Sequence, residues 1–132
     1  MIDPAPRLAR VDRMCLALPQ TSVKQSHGSP YYMVRGKGFA ASNHDHHGNG
    51  RTELWVKGAP GAQAEWMAQD SGRYYKPAYV GAYGWVGVWL DVEVDWPAVT
   101  EILVDGYLDR LGPRAAAGLD PADLAGLISA VR

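Results

Sequence analysis

The chain has 132 residues, which suits one domain. Hydrophobic residues at 47% and charged residues at 20% are ordinary for a globular protein able to bury its own core. Net charge is −1, spread as +1 over residues 1–23, +3 over 24–76 and −5 over 77–132; a strong nucleic-acid binder usually carries a larger basic excess. One cysteine, Cys15, excludes an internal disulfide and a cysteine-based zinc site. Its apolar setting, Met14 to Leu18, points to a buried, inert thiol. No stretch of about 20 apolar residues predicts a membrane span, and Met1 to Pro4 does not open a signal peptide. A cytoplasmic location is the default expectation.

Asp3-Pro4 reads as an N-cap with proline in the first helical turn. Leu8, Val11, Met14/Cys15 and Leu18 follow at helical spacing until Pro19, with Arg7, Arg10 and Arg13 expected on a solvated face. After a polar link, Ser26 to Pro30 is turn chemistry, and Tyr31–Arg35 and Lys37–Ser42 read as strands about Gly36. His44 to Gly50 is a polar loop whose Asn49-Gly50 suits a tight hairpin turn. Thr52, Leu54 and Val56 alternate with Glu53, Trp55 and Lys57, the period of a half-buried strand.

A short helix is predicted from Pro60 to Gln69, with Trp66 and Met67 inward. Arg73 to Lys76 is extended but interrupted by Pro77, as at a sheet edge. Trp85 to Leu90 is the clearest strand of this half, with Val86, Val88 and Leu90 on one face. Asp95 caps a long helix that carries Val99, Ile102/Leu103, Tyr107 and Leu111 and is halted by Gly112-Pro113. Asp120-Pro121 starts a last helix with Leu124, Leu127, Ile128 and Val131 as its apolar side.

The order is helix, three strands, helix, two strands, helix, and an extra C-terminal helix. That order predicts an α+β two-layer domain, an antiparallel sheet with helices on one face and the other face open to water or a partner.

Two motifs carry a resemblance. Ser26-x-Gly28-x-Pro30-x-Tyr32-x-Val34-x-Gly36-Lys37-x-Phe39-Ala40 is followed by Tyr75-x-Pro77-x-Tyr79-Val80-Gly81-x-x-Gly84-Trp85-Val86-x-Val88-x-Leu90-Asp91. Together with Cys15 to Pro19, Asp95-Trp96 and Tyr107, they resemble the MmcQ/YjbR family. The likeness covers roughly residues 5–115 and implies a small α+β fold related to the secretion-chaperone and CyaY-like group. The expected domain runs over 1–115, with 116–132 as a helical extension and its helix outside the resemblance. The likeness also implies a DNA-binding "double-wing" function with no established catalytic residues; a non-enzymatic domain without a cofactor is the accompanying expectation. The chain departs from that pattern at His27, where Trp is frequent, and at Tyr32, where Phe is frequent.

No nucleophile elbow, phosphate loop or His-Glu-x-x-His motif occurs. His44, Asp45, His46 and His47 hold the atoms of a metal site, but a glycine-rich loop lacks the surrounding support such a site needs. They read as a solvated loop. Nucleic-acid contact is expected through Arg35, Lys37, Lys57, Arg73 and Lys76, with Tyr79 and Tyr83 as ligand-facing rings. Trp85, Trp89, Tyr32 and Phe39 read as packing. The rival expectation is a protein or peptide partner docked on an open sheet face.

Overall fold

Six strands and four helices account for most of residues 2–131, which the computed structural model describes. Asp3 accepts a hydrogen bond from the Ala5 amide and starts α1 (Pro4–Leu16), so the proline lies where no helical N–H is needed. Its inward stripe is Val11, Met14 and Cys15. Cys15 is fully buried, and that burial, with Asp12 nearby, pushes its thiol pKa well up.

Of the α1 arginines expected on a solvated face, Arg13 is exposed, while Arg7 and Arg10 are half-buried. Arg7 donates to the Leu90 and Val92 carbonyls, Arg10 lies 4.1 Å over the Trp96 ring, and Arg13 donates to the Val131 carbonyl. Their long stems reach segments far along the chain, which periodicity within one helix cannot register.

The sheet is antiparallel throughout, in the order β1-β2-β3-β4-β6-β5. Its strands are β1 (Thr21–Ser26), β2 (Ser29–Val34), β3 (Lys37–His44), β4 (Thr52–Val56), β5 (Tyr74–Tyr75) and β6 (Val86–Trp89). β1 replaces the polar link of the sequence reading. Its side chains are mostly exposed, so no apolar alternation marks it. His27-Gly28 and Arg35-Gly36 have positive φ at both positions, the two-residue hairpin turns that match strand twist. A register shift after Tyr32 makes Phe39 an extra residue of β3, and Phe39 meets Tyr107 edge-on at 5.8 Å.

One face of the sheet is covered by α1 and by α3 (Trp96–Ala116), with α4 (Pro121–Ser129) packed on those two helices, while α2 (Ala62–Gln69) packs beside β5 and β6. Tyr32, Val34, Leu54, Val56, Val86 and Val88 meet Val99, Leu103 and Tyr107 in one core. Leu124 and Ile128 belong to the same core, whereas Leu127 is exposed. Gly106 brings α3 onto β4 so closely that a Cβ there would meet the Lys57 carbonyl at 2.6 Å. Gly112, at φ 82 and ψ 164, breaks α3 where the sequence predicts its end, and a short turn follows Pro113. Among the described residues no helix is long and apolar enough to cross a membrane.

Candidate functional site: an aromatic cleft on the helix-free face

Strand alternation assigns the opposite face. Register places Tyr31, Ala41, Trp55, Gly87 and Tyr75 on one rung across five strands, with Asn43, Glu53 and Trp89 on a neighbouring rung. The sequence leaves open whether this face is exposed at Trp55; in the fold every residue of β4 is buried on both sides. The cover comes from non-local pieces: the loop after β3, the Tyr75 ring and the segment between β5 and β6.

Tyr75 lies flat over Gly87, where a Cβ would meet its Cζ at 2.5 Å. It stacks on Trp89 at 3.8 Å, and the Arg51 guanidinium covers Trp89 at 3.6 Å. Arg51 is held by two hydrogen bonds to Asp91, at 2.7 and 2.9 Å. These bonds hold the Asp91 carboxyl below its ordinary range. Beneath them Glu53 is a buried carboxylate that accepts from Tyr75 Oη, from Trp55 Nε1 at 3.1 Å and from Asn49 Nδ2 at 3.0 Å. Burial, then Glu53, pushes the Tyr75 hydroxyl far up, so it stays a donor. Sequence alternation had placed Glu53 at a solvent position.

The histidine loop is exposed except at His46, as a solvated loop should be, and it is also braced internally. Asp45 and His47 adopt left-handed backbone (φ 55 and 52) around a short 3-10 turn. Asp45 Oδ1 accepts from the Gly50 amide at 2.7 Å, and the Asp45 amide donates to the Arg51 carbonyl at 2.8 Å. Asn49 has φ −77, so Asn49-Gly50 is not the tight hairpin turn expected of it. The loop turns the His46 ring onto Trp55 at 5.2 Å and His47 onto Tyr79 at 5.9 Å. Among the described residues no group of three or more His, Cys, Asp or Glu is placed to hold a metal ion.

Ala78, Tyr79 and Val80 form a three-residue turn closed by a 2.7 Å bond from the Val80 amide to the Ala78 carbonyl. Tyr79 sits at φ 63, ψ −70, a rare and strained conformation for a residue with a side chain. Its ring remains 70% exposed at the lip of a cleft of about 660 Å³. Tyr31, Asn43, His46, Trp55 and Trp85 line that cleft, and Tyr31 and Trp85 lie nearly parallel at 6.4 Å.

Two buried polar atoms of residues that line it lack a protein partner. Asn43 is 5% exposed and its Nδ2 has no acceptor, and His46 Nε2 is likewise buried without a partner. Buried polar groups are rarely left so, and such orphans concentrate where a ligand completes them.

The structure does not gather the sequence-predicted contacts onto one surface. Of those seven residues, only Tyr79 lines the cleft. Lys57 is paired with Asp109 at 3.1 Å and donates to the Gly58 carbonyl. Arg73 is paired with Asp70 at 2.8 Å and donates to the Glu93 carbonyl. Arg35 and Lys37 stand exposed at the β2–β3 turn, and Lys76 is exposed just after β5 at the same end of the sheet. Tyr83 is 77% exposed beside a separate shallow groove bordered by Gly58 and Gln63. Trp85, Tyr32 and Phe39 are buried as packing, and Trp89 lies under Arg51.

A family model described as YjbR matches residues 16–108. The chain belongs to the YjbR family. Both quoted motifs fall inside that match. The fold is similar to the crystal structure of Deinococcus radiodurans protein DR2400, described by the family domain DUF419. The TM-score is 0.66 at 18% identity, covering 89% of this chain and 84% of that one. No curated protein matches the chain.

Proposed function

We propose that this YjbR domain is a non-enzymatic binding module that contacts single-stranded nucleic acid. The observation that carries the reading is the 76–84 segment, where Tyr79 and Tyr83 present exposed rings beside Lys76. Exposed rings give bases a stacking surface, and cations track the phosphates. Arg35 and Lys37 add two exposed cations at the same end of the sheet, and among the described residues no ion pair engages any of the three.

A binding role rather than catalysis is supported by where the reactive groups lie. Cys15 is sealed in the core. His44 Nδ1 lies 2.9 Å from the Thr52 hydroxyl, but Thr52 is buried and cannot meet a substrate.

Fluorescence anisotropy with a labelled single strand and a duplex, at two salt concentrations, tests the reading. Three phosphate contacts correspond to a log–log salt slope of about −2 on single strands. Arg35→Ala and Lys37→Ala each flatten that slope. Absence of binding at low salt, or a salt-independent affinity, overturns it.

A salt-independent affinity for a peptide would favour the second reading, a protein partner. The border strand β1 supports that reading, with six residues at the sheet's edge and Val23 exposed.

A further inference from the structure

The cleft itself is not a phosphate site, since Arg35, Lys37, Lys57, Arg73 and Lys76 do not line it. Aromatic rings from Tyr31, Trp55 and Trp85 line it beside the small Ala41, and its polar lining comprises serines, Asn43, Asp45 and histidine imidazoles. At about 660 Å³ it lies in the range of sites that enclose a small organic molecule rather than a duplex.

Three features fix the chemistry it can take. Flat apolar walls from Tyr31, Trp55 and Trp85 favour a flat, unsaturated ring over a branched aliphatic group. The orphaned Asn43 Nδ2 requires an acceptor on the edge of that ring. The orphaned His46 Nε2 supplies a second polar contact beside Trp55, in either tautomer.

From these we infer that the cleft binds one planar heteroaromatic ring of the nucleobase class, with its acceptor edge on Asn43 and Tyr79 closing the mouth. A stacked ring read along its hydrogen-bonding edge is the usual way a protein holds a base outside a helix. The strained Tyr79 backbone then has a use, because it aims the ring at the opening while His46 and His47 brace it.

Such a ring can arrive on a free nucleoside or as an unstacked base of a strand. In the second case the inference deepens the single-strand reading and says where one base lodges; in the first it stands without that reading.

Adenosine, thymidine and an eight-nucleotide deoxyadenosine strand are titrated into the 15N-labelled full chain, with affinities from calorimetry. The expected result is that a nucleoside shifts the amide signals of Asn43, His46 and Trp55. Asn43→Ala should then weaken it about tenfold, the cost of losing one well-made hydrogen bond in a buried site. Tyr79→Ala should also weaken nucleoside binding, while Arg114→Ala, at an exposed position away from the cleft lining, leaves it unchanged. No nucleoside-induced shift, or an Asn43→Ala protein that binds as tightly as the parent, overturns the inference. Strand binding with no nucleoside binding also overturns it, yet leaves the single-strand reading standing. Nucleoside binding with no strand binding supports the cleft and removes that reading instead.

Discussion

The two faces of this sheet use the same strands and solve different problems. On the helix side, Val34, Leu54, Val56, Val86 and Val88 meet Leu103 and Tyr107, and these apolar groups have no hydrogen bonds to satisfy beyond the tyrosine hydroxyl, which reaches the Pro19 carbonyl. On the other side, burial falls on Glu53, Trp55, Tyr75 and Asn43, whose polar atoms must all be matched. Glu53 is matched three times, whereas the Asn43 Nδ2 is not matched at all. A face that satisfies a buried carboxylate and leaves the amide of a cleft-lining residue unmatched has a polar group to spare for a ligand.

If that contrast is right, substitutions on the two faces should separate stability from binding. The largest loss of stability belongs to the helix face. Leu103→Ala removes a fully buried side chain and should cost about 3 kcal/mol in urea denaturation, with ligand affinity unchanged in the folded fraction. An intermediate effect falls on the clamp that holds the cover of the other face. Asp91→Asn breaks the paired bonds from Arg51 and should cost about 1 kcal/mol, reduced by the partial exposure of Arg51.

That clamp also sets a pH dependence. The Asp91 carboxyl is held below its ordinary value chiefly by the Arg51 hydrogen bonds, so its contribution is complete above the usual carboxylate range. The contribution is lost as pH falls through the lowered folded value. Acid titration of Asp91→Asn should therefore show a shallower loss of stability than the parent. The smallest effect is opposite in sign. Tyr79→Gly relieves a strained φ of 63, partly offset by the entropy glycine loses, and should raise stability by about 0.5 kcal/mol while weakening ligand binding.

Much of the helix face was legible from periodicity. Val86, Val88 and Leu90 alternate, and Val99, Ile102, Leu103 and Tyr107 fall on one helical stripe, so their burial follows from local pattern. The N-caps at Asp3, Asp95 and Asp120 were equally local, each accepting from a first-turn amide.

The other face was less legible because its contacts span the chain. Lys57 looked free until α3 brought Asp109 beside it, 52 positions away, and the Arg51–Asp91 clamp spans 40. β1 escaped because Thr21-Ser-Val-Lys-Gln-Ser has no apolar alternation, and only the positive-φ turn at His27-Gly28 signals it. Asn43 falls between the strand predicted to end at Ser42 and the loop predicted from His44. Nothing local says that β3 continues through it to His44 and buries it opposite Glu53.

The most direct test measures both properties of Asn43→Ala on one sample. If the amide is reserved for a ligand, removing an unmatched buried donor leaves unfolding free energy within about 0.5 kcal/mol of the parent. Nucleoside affinity should meanwhile fall about tenfold, roughly 1.4 kcal/mol of binding free energy. A variant that loses more than about 1 kcal/mol of stability yet binds as the parent does would show that Asn43 serves the fold, and would contradict the account.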